Sequence, residues 1–228
     1  MKKAVCLLSG GLDSAVTAAI ARSKGYEIYA LTFDYGQRHK KEIESARKLA
    51  QEMRFKQHRV MRINLEEIGG SALTDNKIGV PTGKDVEEIK KSTEIPVTYV
   101  PARNTILLAY ALAWAEVLDA DAIFIGANHV DYSGYPDCRP EYFRKFQEMA
   151  DIATKRAING RKTIIETPII EMNKSDIIKL GAELNVPFQY TWSCYKGGDK
   201  ACGKCDSCVL RLNGFKENNL LDPILYEI

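Results

Sequence analysis

The sequence predicts an α/β fold: a doubly wound parallel sheet of about five strands, with a small cysteine-rich helical and loop tail at its C-terminal end. Three observations carry this reading. Short β-rich apolar runs alternate with segments of helical period, a Gly-Gly turn joins the first run to the first helix, and four of the six cysteines crowd into the stretch Cys194 to Cys208.

The elements follow in order. Lys3 to Leu8 reads as a buried strand and Leu12 to Lys24 as a helix. Tyr26 to Phe33 is a second strand. From His39 to Phe55 the apolar positions Ile43, Ala46, Leu49, Ala50 and Met53 fall on one helical stripe. Arg59 to Leu65 is a third strand, Arg103 to Leu118 a strongly apolar helix and Ala122 to Gly126 a fourth strand. Glu141 to Ala157 reads as a helix, Thr163 to Thr167 as a fifth strand, Lys174 to Leu184 as a helix, and Asp206 to Lys216 as a last helical run. Two stretches break the rhythm. Gly69 to Pro101 is too long for an ordinary connection and is expected as a mobile or partly ordered insertion. The part after Pro187 is too small for its own core and needs a staple. The chain therefore divides into an α/β domain over 1–187, carrying the insertion at 69–101, and a small C-terminal subdomain over 188–228.

Composition narrows the function. The 228 residues carry 32 Lys and Arg against 30 Asp and Glu, a net charge of +2, with 45% apolar residues. That balance argues against a broad nucleic-acid footprint, which needs a strongly basic face. The longest apolar run, Ile106 to Ala115, is too short to cross a bilayer, which takes about 20 helical residues. Ser9, Gly10, Gly11 and Asp13 interrupt the N-terminal apolar stretch before it reaches signal-peptide length. A cytoplasmic chain without a membrane partner is expected, and in that reducing compartment the cysteines do not form a disulfide framework.

Ser9-Gly10-Gly11-Leu12-Asp13-Ser14 lies between the first strand and the first helix. Two glycines let the backbone approach a ligand closely and expose N–H groups at a helix N-terminus, where the dipole favours an anion. The run is neither the Lys-containing phosphate loop of nucleoside triphosphatases nor the G-x-G-x-x-G dinucleotide fingerprint. A plain tight turn, with Asp13 or Ser14 capping the helix, is the alternative. The hexapeptide after its apolar strand resembles the PP-loop of the ATP pyrophosphatase superfamily. That resemblance implies ATP held by its pyrophosphate, attack of a substrate oxygen on the α-phosphorus, and Mg²⁺ with positioned donors to offset the charge of the transferring phosphate. Asp13 is then a residue that orients the loop or the metal.

In an open parallel sheet, ligands bind beyond the carboxyl ends of the strands, so the segments that follow the strands share one crevice. Two hold cations where helix electrostatics disfavour them: Arg103 opens the apolar helix, and Lys174 follows the N-cap Asn173. A bound phosphate or substrate carboxylate would reverse that cost; a solvated side chain is the alternative. The stretch Asn128 to Arg139 combines tyrosines, aspartates, Gly and Pro, a set suited to a planar base with amino and ring N–H donors. Asp131, Tyr135 and Asp137 are its candidate substrate contacts. His129 is a possible donor or base, although a lone His near a strand end is more often structural. Cys138 has no sequence neighbour to lower its pKa, and Cys6 falls within the first strand, where it belongs to the core.

The phosphate loop, Phe33-Asp34-Tyr35-Gly36-Gln37-Arg38-His39, Val100-Pro101-Ala102-Arg103-Asn104, Gly126 to Arg139, Asn173-Lys174-Ser175-Asp176 and the terminal cysteines together resemble the 7-cyano-7-deazaguanine synthase family of the queuosine pathway. The likeness covers nearly the whole chain, with 75–96 outside its motifs. It implies a two-stage reaction on 7-carboxy-7-deazaguanine: ATP adenylates the carboxylate, ammonium supplies nitrogen for an amide, and a second ATP activates the amide oxygen, whose loss with AMP leaves a nitrile. By the same resemblance, Leu8 to Ser14, Thr32, Phe33 and Gly126 contact ATP. Asp13, Ser14, Arg103 and Lys174 serve the chemistry, and Tyr35, Gln37 and Arg38 join the substrate contacts. No glutaminase segment is visible, so free ammonium is the expected nitrogen source, and a homodimer is the family expectation. The rivals are a PP-loop enzyme that modifies a tRNA base and a zinc-stapled nucleotide-binding module without catalysis.

Cys194, Cys202, Cys205 and Cys208 are separated by seven, two and two residues. Four thiolates close a tetrahedral Zn²⁺ site with no open position, a structural arrangement. An iron–sulfur cluster is the chemical competitor, and chance clustering the metal-free one. The resemblance implies zinc.

Overall fold

The computed structural model describes residues 1–227 except 39, 93 and 131–133, with residue 90 described by its backbone alone. Five parallel strands form one sheet in the order β3-β2-β1-β4-β5: β1 (Lys3–Leu7), β2 (Glu27–Asp34), β3 (Gln57–Arg62), β4 (Ala122–Phe124) and β5 (Ile164–Glu166). The doubly wound α/β sheet read from the sequence is the one observed. The chain leaves β1 toward β2 on one side, and β4 joins β1 on the other. The crevice at that reversal, beyond the carboxyl ends of β1 and β4, is where such sheets bind ligands.

Alternate residues of β1 point to opposite faces, as the pleat requires. Val5 and Leu7 pack with α4 (Arg103–Leu118) and α5 (Pro140–Ala153), whereas Ala4 and Cys6 pack toward α1 (Leu12–Ser23). On that second face α1 is flanked by α2 (Lys41–Glu52) and α7 (Lys174–Glu183), through Leu12, Val16, Leu49, Ile177 and Ile178. Each such apolar side chain, fully buried, contributes roughly 1.5–3 kcal/mol. A strand covered on both faces reads as a continuous apolar run, which is why β1 was legible.

Several boundaries differ from the sequence expectation. The run to Leu65 leaves strand geometry after Arg62, yet the Ile63 and Leu65 amides still donate to the carbonyls of Asp34 and Tyr35, at 2.9 and 3.1 Å. The helix expected over 141–157 is broken at Thr154, whose hydroxyl caps a short α6 (Lys155–Ile158) by accepting from the Ala157 amide at 3.2 Å. Segment 69–101 carries a short α3 (Val86–Lys91) opened by a capping box of Asp85 and Glu88. Its base is closed by the Ala72 amide donating to the Val97 carbonyl at 2.7 Å. Its middle docks on the cysteine-rich tail: Thr82 pairs with Cys205, and the Gly83 amide donates to the Lys204 carbonyl at 3.2 Å. The tail adds α8 (Asp206–Glu217), which lies against α7. Among the described residues no helix is long and apolar enough to cross a membrane.

Candidate active site

A cavity of about 210 Å³ opens beyond the ends of β1 and β4. Its floor is the turn after β1. The α1 N-cap is Gly11, and no side chain caps the helix among the described residues, so the amides of its first turn remain open to a ligand. The capping alternative weighed for Asp13 and Ser14 is therefore not realised. The two serines instead brace the turn: Ser14 Oγ donates to the Gly11 carbonyl at 2.9 Å and accepts from the Ser9 amide at 3.2 Å, while Ser9 Oγ accepts from the Gly11 amide at 3.2 Å.

Two glycines here answer to close contacts. Gly10 has φ +92°, and a Cβ there would lie 2.0 Å from the Glu42 carbonyl oxygen, so α2 is seated directly on the loop. A Cβ on Gly126 would meet the Asp13 carbonyl and the Ser14 amide at 3.0 Å, so the β4 end passes close beneath the start of α1.

Asp13 and Lys174 form an ion pair across this floor. Lys174 Nζ donates to both carboxylate oxygens, at 2.6 and 2.8 Å, with the lysine side chain only 9% exposed. This carboxylate is an anion that offsets a lysine at the positive end of α7, whose N-cap Asn173 accepts from the Asp176 amide at 2.9 Å. Opposite, Arg103 opens α4 after Ala102, which is left-handed at φ 53°. Its guanidinium lies 5.8 Å over the Tyr35 ring and donates to the Tyr35 hydroxyl at 3.4 Å. Gln37 fixes Tyr35 by accepting from its amide at 2.8 Å and donating to the Phe33 carbonyl at 3.2 Å. Tyr135 is held through its hydroxyl by Thr98 at 2.7 Å.

Of the sequence-predicted residues, Leu8, Ser9, Gly11, Leu12, Asp13, Ser14, Phe33, Tyr35, Gln37, Arg103, Gly126, Tyr135 and Lys174 line the cavity. Four do not. Gly10 lies behind the loop, its carbonyl accepting from the Trp192 amide at 2.9 Å. Thr32 is turned inward, donating to the Leu8 carbonyl and meeting His58 Nε2 at 2.8 Å. Arg38 donates to the carbonyls of Asp75 and Ile78 and so ties down the insertion. Asp137 accepts from the Asn104 amide in the first turn of α4 at 2.9 Å, and burial raises its carboxyl above the usual range. Asp131 lies outside the described residues.

The cavity wall also includes side chains the sequence reading did not select: Glu42, Asn104, Trp192, Ser193 and Arg211. Arg211 is 1% exposed and donates through Nε and Nη2 to Asp222 at 2.6 and 2.9 Å, and through Nη1 to Thr191 Oγ1 at 2.7 Å. A buried arginine with a bidentate carboxylate thus holds the 191–193 stretch against the phosphate loop. An Arg-to-Asp spacing of eleven residues carried no sequence signal, because the pair meets only after the chain turns back past α8. The Cys138 thiol is buried and lifted to about 12 by desolvation and the nearby Asp137 charge, so it stays protonated and is no nucleophile.

Beside the cavity, Cys194, Cys202, Cys205 and Cys208 are buried with their sulfurs within 4.8 Å of one another. The Cys202 and Cys208 sulfurs are 4.0 Å apart, near the tetrahedron edge of about 3.8 Å set by Zn–S bonds of about 2.3 Å. The amides of Lys204 and Cys205 point at Cys202 Sγ, and that of Cys202 at Cys194 Sγ, each at 3.4 Å. Such N–H donors favour thiolate over thiol, so the donor set fits a closed tetrahedral metal site.

Comparison with known proteins agrees with this architecture. The family model for queuosine biosynthesis protein QueC matches residues 3–219. The 7-cyano-7-deazaguanine synthase of Acetivibrio thermocellus is 54% identical over 226 residues, covering 99% of this chain and 98% of that protein. The 7-cyano-7-deazaguanine synthase of Saccharophagus degradans is 54% identical over 227 residues, with 99% and 98% covered. Among solved structures, one described as a predicted subunit of tRNA methyltransferase from Methanocaldococcus jannaschii superposes with TM-score 0.50 at 16% identity, over 80% of this chain and 75% of that one, a likeness of fold alone.

Proposed function

The chain belongs to the QueC family of queuosine biosynthesis proteins, and from that premise we propose that it is a C–N-forming ligase. Its reaction converts 7-carboxy-7-deazaguanine and ammonium to 7-cyano-7-deazaguanine at the expense of ATP. The observation that carries the reading is the uncapped α1 start beside the Asp13–Lys174 pair in the crevice between β1 and β4. Open amides at a helix N-terminus suit a pyrophosphate.

The chain's own groups divide the work. ATP lies along Leu8 to Ser14, with Phe33 and Gly126 beside it, and its phosphates meet the first-turn amides of α1. Lys174 shifts between the Asp13 carboxylate and the phosphate charge that develops as pyrophosphate departs. Asp13 is the carboxylate through which Mg²⁺ would be held; bound there, the ion would offset charge on the phosphates. The deazapurine stacks near Tyr35 and Tyr135, with Gln37 fixing Tyr35, and Arg103 faces the substrate carboxylate, neutralising it during attack on the α-phosphorus. Both stages activate an oxygen on the same substituent, so one nucleotide pocket serves both. The four cysteines hold a structural Zn²⁺.

The reading places the protein in the cytoplasm, with free ammonium as co-substrate and no nucleic acid bound. A homodimer is part of it. Tyr110 and Val117, seven residues apart on α4 and 41% and 81% exposed, mark one apolar helical face available to a second copy. The test is substrate dependence of AMP release by the purified chain with ATP, Mg²⁺ and ammonium. Release requiring 7-carboxy-7-deazaguanine and unaffected by added tRNA supports the reading; release requiring tRNA contradicts it.

A further inference from the structure

Among the described residues two carboxylates line the cavity, Asp13 and Glu42. Asp13 is engaged by Lys174. Glu42, in the first turn of α2, has no hydrogen-bonding or ion-pair partner among the described residues, though its backbone carbonyl is wedged against Gly10 of the phosphate loop. A partly buried carboxylate without a partner is costly, and next to a site for phosphates it adds repulsion. Its placement is economical only if a cation or a proton comes to it during the reaction.

The proposed reaction supplies both. Nitrogen enters as ammonium with four N–H bonds and leaves as a nitrile with none, so four protons must be taken from one atom at one place. The first converts ammonium to the nucleophile. The second leaves as the ammonia nitrogen bonds to the acyl carbon and the bond from that carbon to the AMP oxygen breaks, the oxygen keeping the electron pair. The third and fourth leave the amide nitrogen as its oxygen is adenylated and as AMP departs, the freed N–H electrons completing the C≡N bond. Among the described residues the cavity's other charged side chains are poorly suited to this duty: Arg103, Lys174 and Arg211 are cations, and Asp13 is paired with Lys174.

We propose that Glu42 is the proton acceptor of this site: its carboxylate holds the incoming ammonium as counter-ion, takes the N–H protons that must leave, and passes them to solvent at the cavity mouth. The inference rests on the reaction proposed above. Its electrostatic setting agrees. Burial lifts the Glu42 carboxyl to about 7, while Arg103 on α4 pulls it down; the Tyr35 hydroxyl also faces it. A base poised near neutrality is the efficient one at physiological pH.

The experiment uses the full metal-loaded chain and the variants Glu42→Gln and Glu42→Asp, with thermal midpoints measured alongside. With ammonium at pH 7, Glu42→Gln should form amide and nitrile at least about 100-fold more slowly than the parent, while burst release of pyrophosphate from ATP and 7-carboxy-7-deazaguanine persists. Hydroxylamine is already neutral at that pH, so hydroxamate formation by Glu42→Gln should fall far less than its ammonium-dependent rate, and Glu42→Asp should recover part of the latter. An unchanged ammonium rate in Glu42→Gln overturns the proposal. So does equal loss of pyrophosphate release, which would make Glu42 a nucleotide or Mg²⁺ contact, or an equal loss with hydroxylamine. A parent chain that releases no pyrophosphate with 7-carboxy-7-deazaguanine removes the reaction itself, a failure visible before any variant is compared.

Discussion

Lys174 and Arg103 stood out in the sequence because each opens a helix against the dipole, and both line the cavity. What the sequence did not disclose is that an anion paired with Lys174 belongs to the protein, 161 residues earlier in the chain. That pairing changes what a substitution does. Asp13→Asn should cut AMP formation by about 100-fold or more, the scale of losing one positioned electrostatic group. It should also lower stability by about 1–3 kcal/mol, since it leaves a nearly buried ammonium short of its charged partner; urea unfolding and AMP assay together check it, and a loss of either alone disagrees. Side-chain direction set the limit of legibility at this scale. Thr32, Arg38 and Asp137 sit in the segments the sequence pointed to, but each is turned to a backbone group, and no periodicity encodes that choice. Glu42 was invisible for another reason: an acidic residue in the first turn of a helix is ordinary dipole complementation, and what sets it apart is that none of the described residues hydrogen-bonds or ion-pairs with its carboxylate.

At the scale of elements, strands and long helices were legible wherever burial enforced a period. α4 was read with its observed ends, and β1 and β2 to within a residue or two. The helix break at Thr154 and the folding of 69–101 onto the tail were not, because a mid-helix cap and a docking surface depend on residues distant in sequence. The loop and α2 form one unit through Gly10. Gly10→Ala should therefore push α2 off the loop and lower AMP formation by at least about 10-fold, on the scale known for small misplacements of reacting groups; Gly25→Ala, where a Cβ meets open space, controls for the cost of a left-handed glycine. An AMP rate equal to that of the control would show that the contact does not matter.

For the molecule as a whole, two side-chain clusters help to hold the tail, the four cysteines and a buried ion pair. The cysteine spacing announced one of them. The other, the buried Arg211–Asp222 pair, ties the last turn of chain to the 191–193 stretch at the cavity. Asp222→Ala should cost about 3–5 kcal/mol by stranding a buried guanidinium, read as a lower midpoint in urea. Cys205→Ser should release metal, measurable by elemental analysis, and loosen the docked insertion through Thr82, with amide exchange rising around 80–84 and 201–208. Protection unchanged in the metal-free variant would separate the insertion from the metal site.

In the proposed reaction one crevice adenylates the same carbon substituent twice and leaves a nitrile. The most direct measurement is mass spectrometry of the product formed from 7-carboxy-7-deazaguanine, ATP, Mg²⁺ and ¹⁵N-ammonium, with AMP counted in parallel. The expected outcome of this reaction is a ¹⁵N-labelled nitrile with two AMP for each product. A labelled amide that is never consumed, one AMP per product, or AMP without any labelled product would contradict it.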